Sequence, residues 1–259
     1  MARQSGASFH LNPEVNEAVF VRALAESGAQ AGVSINWPTL MSADTCAAVP
    51  IGILNAHAGD LPRYRGNACP NRAIINGEPH VGACVHAMDP TEVDAGPVYT
   101  RRRLPLDATV YIGDVHFWLD QVIPEMFVEA LANAQTSGFE PENQAASGVV
   151  PLRCHPRRPE DGRIDWRDDA VRIARLVRAS SRPFAGAFTF LEGQTKVTIW
   201  RACEVSLDHE VVAMPGQVMG RGQKGGVLVA CGQGILEIEE ATMEDGSRLP
   251  AANRFRLNS

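Results

Sequence analysis

A chain of 259 residues with 45% hydrophobic and 21% charged side chains has the make-up of an ordinary globular protein, long enough for one or two domains. Its formal net charge of −6 gives no general attraction to nucleic acid or to an anionic membrane. No apolar run reaches transmembrane length and the N-terminus does not read as a signal peptide, so a cytoplasmic, non-membrane protein is expected. The acidity is uneven: 8 basic and 16 acidic residues precede Pro151, and 16 and 14 follow from there. The nearly neutral second half has room for a local basic strip, so a nucleic-acid partner is a weaker expectation than a small molecule. Six scattered cysteines without a CxxC pair read as reduced thiols rather than a disulfide framework.

In chain order, Asn12-Pro13-Glu14 starts a helix with Val15, Val19, Ala23 and Leu24 on one face and Gly28 as its stop. Ala31–Asn36 reads as a buried strand, 42–48 as a short helix and Ile51–Asn55 as the next strand. That order is a parallel-sheet unit, with chemistry expected at the carboxyl ends of its strands. Residues 67–76 read as a helix ending at Gly77, 81–88 as a strand, 89–96 as a loop and 97–103 as a further strand. From 111 to 135, Val115, Trp118, Leu119, Val122, Met126 and Leu131 keep helical period, and Pro124 is expected to kink the helix or begin a new one. Residues 136–150 have linker composition, which divides the chain into a domain at 1–135 and another at 151–259. Beyond the linker, 168–180 is an amphipathic helix. Short β runs at 187–191, 196–200, 217–219, 227–230 and 235–238, split by glycines, point to a small barrel-like or open β module.

The chemistry concentrates between Gly52 and Gly96. Asn55 and His57 lie on one face of a strand end because side chains alternate. Acylation of an amine needs a hydrogen-bond donor to the carbonyl oxygen as it becomes anionic, which Asn supplies, and an acceptor for the amine proton, which His supplies. A carboxylate beside the imidazole orients it, and Asp94 is the residue placed to do so. Taken alone, Asn-x-His is more often a turn Asn and a strand-end His with structural hydrogen bonds. His80, Cys84 and His86 share a strand face, but no fourth ligand accompanies them and no metal is expected. Arg101–Arg103 reads as a solvated strand end, and the glycine-rich stretch 220–226 as a hairpin turn.

The longer pattern decides between these readings. Asn-Ala-His-Ala-Gly-Asp-Leu-Pro-Arg-Tyr-Arg-Gly at 55–66, with Asn76-Gly77-Glu78, His86-Ala87-Met88-Asp89 and Asp94-Ala95-Gly96, resembles the 10-formyltetrahydrofolate-dependent formyltransferases, those of methionyl-tRNA, glycinamide ribonucleotide and nucleotide sugars. A second resemblance, Arg157-Arg158-Pro159-Glu160-Asp161-Gly162-Arg163-Ile164-Asp165-Trp166 followed by Pro183 and Gly186-Ala187-Phe188, is to the C-terminal open β-barrel of the methionyl-tRNA and aminoarabinose enzymes. It implies an α/β fold: a partial Rossmann-like parallel sheet, N-terminally shortened, followed by a small open β-barrel. It also implies Asn55, His57 and Asp94 as catalytic residues. A folate donor would lie against Ser34, Asn36 and Leu40 and against Met88, Asp89 and Val93, with Asp60 and Arg65 on the acceptor. The implied activity is formyl transfer to a primary amine, with an amino-sugar nucleotide preferred over methionyl-tRNA; a non-catalytic binding module and hydrolysis of the formyl donor are the alternatives. The family's Ser-Leu is Gly59-Asp60 here, and its Trp-Pro-Gly is Phe184-Ala185-Gly186. Only about thirty residues precede the strand at 31–36 where the family has two or three more strands, so an apolar sheet edge covered in a homo-oligomer is a further expectation.

Overall fold

In the computed structural model, residues 14–192, 194–252 and 255–258 are described; Asn12 and Pro13, read above as a helix start, lie outside them. The chain resolves into two compact units that interleave in sequence. Of the described residues, one takes those up to His57 together with Cys84–Arg101 and Ile123–Val150, and the other takes Ala58–Ala83, Arg102–Val122 and those from Pro151 onward.

The elements that carry the first unit are α1 (Ala18–Glu26), β1 (Gly32–Ile35), α2 (Ala43–Ala47) and β2 (Ile53–His57). Ser42 caps α2 by accepting from the Thr45 amide at 3.2 Å, which satisfies one of the donors a helix start leaves over. Val15, Met41, Val49 and Ile53 form a buried cluster, with Phe20, Leu24, Trp37 and Met88 packed against it. After β3 (Arg65–Gly66) and α3 (Cys69–Asn76) come β4 (His80–Ala87) and β5 (Val98–Pro105). The four-stranded sheet has the order β1-β2-β4-β5. β1 and β2 are parallel, as expected, but β4 runs antiparallel to β2, pairing Asn55 with His86 and His57 with Cys84. β1 is an edge strand and exposes Val33 (59%) and Ile35 (56%).

α4 (Ile112–Gln135) runs without interruption through Pro124. The missing amide is offset by burial of Val115, Leu119, Met126 and Ala130 along its length, so packing outweighs the local loss. The stretch of linker composition contains a 3-10 turn, Gln144–Ser147, whose Gln144 is buried.

The second unit is built around α5 (Ala170–Ser180), capped by Asp169 accepting from the Arg172 amide. It follows β6 (Arg153–Cys154), which pairs with β3. β7 (Ala187–Leu191), β8 (Thr195–Val205), β9 (Val218–Arg221), β10 (Val227–Ala230), β11 (Ile235–Met243) and β12 (Leu257–Asn258) form one antiparallel sheet of order β12-β7-β8-β11-β10-β9. Its two edges come together where Gln217 bridges Arg256 and the Leu257 amide donates to Gly216, so the sheet curls into the expected open barrel. Ile173, Ala174 and Val177, spaced for one helix face, bury against Ile199, Val229 and Leu236 inside it. All six cysteines are free thiols, and no described helix is long and apolar enough to cross a membrane.

Candidate active site

The first unit brings three of the expected residues together. Period-two alternation in β2 puts Asn55 and His57 on one face, and both are buried. The loop from β4 to β5 returns Asp94 to them: its Oδ2 lies 3.3 Å from His57 Nδ1. With Nδ1–H directed at the carboxylate, the imidazole holds its lone pair on Nε2. Asp94 has φ of +55°, a conformation that Asp tolerates better than most side chains.

Two structural details explain why the loop arrives there. A Cβ on Gly96 would sit 2.0 Å from the Ala87 carbonyl oxygen, so only glycine lets the loop lie this close to β4. Gln144 Nε2 donates to the carbonyl oxygens of Asp94 (2.8 Å) and Gly96 (2.6 Å), clamping both ends of Asp-x-Gly from a side chain only 2% exposed.

His86 is a fourth member that the motif reasoning left out. Fully buried, it stands opposite Asn55 in the β2–β4 register. Its Nδ1 is 2.8 Å from the Ala87 carbonyl, which accepts only, so Nδ1 carries a proton. Nε2 lies 3.3 Å from Asn55 Nδ2 and 3.5 Å from Asp94 Oδ1. An imidazole accepting from Asn55 uses one amide hydrogen and sets the plane of the amide, so the other hydrogen has a fixed direction. Its strand parity was visible in the sequence, where it suggested a metal ligand; the register across an antiparallel pair was not. Gln144 gave no signal at all, being one polar residue in a stretch of linker composition.

The residues expected around a folate donor are spread over the same unit. Ser34 pairs in register with Asn55, and its buried hydroxyl has no hydrogen-bond partner. Asn36 has φ of +54° and is exposed, as is Leu40. Met88 packs against the cluster around Met41, and Val93 is half-buried. The Asp89 carboxylate is engaged within its own turn, accepting from Thr91 N, Thr91 Oγ1 and Glu92 N.

Asp60 and Arg65 belong to the second unit. Asp60 Oδ2 accepts from His80 Nε2 at 2.8 Å and Arg103 Nε at 3.1 Å, so the carboxylate that replaces the family's Leu is already engaged. Arg65 is buried, and its amide donates to Leu152 O where β3 meets β6. Asp60 lines a small cavity of about 90 Å³ with Arg63, Tyr64, Glu78 and His80. There the Tyr64 hydroxyl donates to Glu78 Oε1 at 2.6 Å and accepts from Asn76 Nδ2. Burial, reinforced by the Glu78 carboxylate, pushes the Tyr64 phenol up to about 12. The same hydrogen bond, with Arg63, holds Glu78 below the usual carboxylate range. No group of three or more His, Cys, Asp or Glu side chains placed to hold a metal occurs among the described residues.

Residues 5–131 match the family model described as formyl transferase, and residues 157–258 that of the formyl transferase C-terminal domain. The methionyl-tRNA formyltransferase of Ruminiclostridium cellulolyticum is 27% identical over 92% of this chain and 75% of its own length. That of Herminiimonas arsenicoxydans is 34% identical over 78% of this chain and 62% of its own length. The crystal structure of the N-formyltransferase from Helicobacter canadensis in complex with folinic acid and dTDP-3-aminofucose superimposes with a TM-score of 0.59 at 13% identity, over 92% of this chain and 80% of that one; this is a likeness of fold.

Proposed function

Since the chain belongs to the formyl transferase family, we propose that it transfers a formyl group from 10-formyltetrahydrofolate to a primary amine, with Asn55, His57 and Asp94 as the catalytic residues. The observation that carries this is the 3.3 Å approach of Asp94 to His57 Nδ1 beside a buried Asn55.

The donor supplies an activated formyl carbon. As the acceptor nitrogen bonds to that carbon, the carbonyl oxygen becomes anionic and the Asn55 amide hydrogen not used by His86 stabilises it. His57 Nε2 takes the proton that the nitrogen sheds and returns it to the departing donor nitrogen. Asp94 holds the imidazole in the tautomer that leaves Nε2 basic and favours its protonated form once the proton has moved. The donor would be held along Ser34, Asn36 and Leu40 and by Met88 and Val93. The buried, unpartnered Ser34 hydroxyl beside Asn55 suits a polar atom of that ligand. Asp89 would act through the shape of its turn.

The acceptor in this reading is an amino sugar carried on a nucleotide, in keeping with the acidic first half of the chain. Methionyl-tRNA is the second reading, favoured by the names of the relatives in sequence. Mixing the protein with the folate donor and each acceptor in turn tests both. The true acceptor gains about 28 Da, the mass of CO, and a mixture in which neither gains it removes the proposal.

A further inference from the structure

None of the proposed catalytic residues lines a cavity of about 330 Å³ in the second unit. It is walled by α3 and the turn at 106–110 on one side, and by α5 with Cys203 and Glu204 of β8 on the other. Arg175 and Arg178 both line it. Three residues apart, they stand on one face of α5.

Neither guanidinium is matched. Arg178 Nε is buried and has no hydrogen-bond partner, and no ion pair joins Arg175 or Arg178 to a carboxylate among the described residues. Two of the three acids in the cavity wall, Asp107 and Glu78, have hydrogen-bond partners of their own, and the third is Glu204. Asp107 accepts from the Thr109 amide and hydroxyl at 2.7 and 2.6 Å, and Glu78 is taken by Tyr64 and Arg63. Burial lowers the Arg178 pKa from its ordinary value, with Arg175 acting in the same direction and Tyr111 and Asp107 opposing it without reversing it. Arg175 is seated by a glycine: a Cβ on Gly77 would lie 2.2 Å from its Cζ, so the guanidinium lies against the bare backbone at the C-terminal end of α3, where the helix dipole favours a cation. Two like charges on one helix face, one half-buried with no carboxylate hydrogen-bonded to it and Asp107 acting only at longer range, are unfavourable in a protein alone. An oxyanion supplied from solution removes the imbalance, and two guanidinium forks suit the several oxygens of a phosphate.

We propose that this cavity is a binding site for the phosphate monoester of a small polar molecule, with the phosphate between Arg175 and Arg178, the carbon skeleton along Leu106 and Val110, and a hydroxyl or amine directed to Glu204. The cavity has the size of a small-molecule site and is too small for a folded partner.

Binding is measured on the full chain by isothermal titration and ³¹P line broadening, with inorganic phosphate and glycerol 3-phosphate as probes at ionic strength held constant with chloride. Both probes bind saturably at one site, glycerol 3-phosphate the tighter. Arg175→Gln and Arg178→Gln each weaken binding about tenfold or more, the worth of one charge-assisted hydrogen bond, while Arg248→Gln on the exposed surface leaves it unchanged. In phosphate-free buffer Arg178→Gln raises Tm, because it removes an unmatched charge; a variant that had merely lost its fold would lower it. Absence of saturable binding, binding that Arg178→Gln leaves intact, or a lowered Tm for that variant without phosphate overturns the proposal.

Discussion

Replacing Gln144 by alanine isolates the support of the Asp94 loop from the chemistry. The side chain is buried and donates to two carbonyl oxygens, of Asp94 at 2.8 Å and Gly96 at 2.6 Å. Each such bond is worth about 1 kcal/mol net, and an acceptor left buried without a partner raises the cost, so about 2–3 kcal/mol of folding stability is lost. The loop then relaxes, Asp94 spends less time against His57, and kcat falls about tenfold with a smaller change in KM, a pattern expected of a positioning residue. Urea unfolding gives the first quantity and steady-state formyl transfer the second. Gln144→Glu is the sharper variant. At neutral pH its carboxylate faces two carbonyl oxygens, so it loses more stability than alanine and regains some as acid converts the carboxylate to a donor. A Gln144→Ala protein within about 0.5 kcal/mol of wild type, with kcat unchanged, refutes the clamp.

Gly96→Ala forces a Cβ to within 2.0 Å of the Ala87 carbonyl; the loop shifts, at a cost of about 1–3 kcal/mol, and Asp94→Asn in the same background adds little further loss of kcat because Asp94 is already displaced. Asp94→Asn by itself lowers kcat by about a hundredfold or more through the imidazole tautomer, with the fold intact by circular dichroism. Tyr64→Phe removes the donor to Glu78 and the acceptor of Asn76 and costs about 2 kcal/mol in thermal unfolding. The pH signs follow from the shifts. Glu78 is depressed in the folded state, so its stabilisation is present above the ordinary carboxylate pKa and is lost as pH falls through the lower folded value. Tyr64 is raised to about 12, so its contribution is complete below its ordinary pKa and is lost as pH rises from there towards 12. Tyr64→Phe flattens the stability profile at both ends, and a profile it leaves unaltered contradicts the assignment.

Local pattern carried much of the fold into view. The α5 stripe and the β10 run stand where periodicity put them, and the parity of Asn55 and His57 placed both on one face. Boundaries shifted where the backbone left the regular regions. β2 starts at Ile53 rather than Ile51 because Gly52, at φ +84°, closes a turn on Val49. α3 starts at Cys69 because Ala68 is left-handed. β8 and β11 outrun their apolar cores because pairing continues through Glu204 in one and Glu240 in the other, with a register shift. What no local pattern contains is long-range: the antiparallel seat of β4, which brings His86 opposite Asn55, and Gln144 reaching back some fifty residues to Asp94. The same limit applies to Asp60, which the sequence placed on the acceptor and whose carboxylate His80 and Arg103 engage from twenty and forty-three residues away.

The central claim is that His57, oriented by Asp94 next to Asn55, moves the proton during formyl transfer. Its most direct test is a single-turnover measurement with enzyme in excess over the formyl donor, comparing wild type with His57→Asn at saturating acceptor. The account predicts that the variant still quenches with donor, showing that the donor binds, while the transfer rate drops by about a hundredfold or more. Transfer at the wild-type rate by His57→Asn would contradict it.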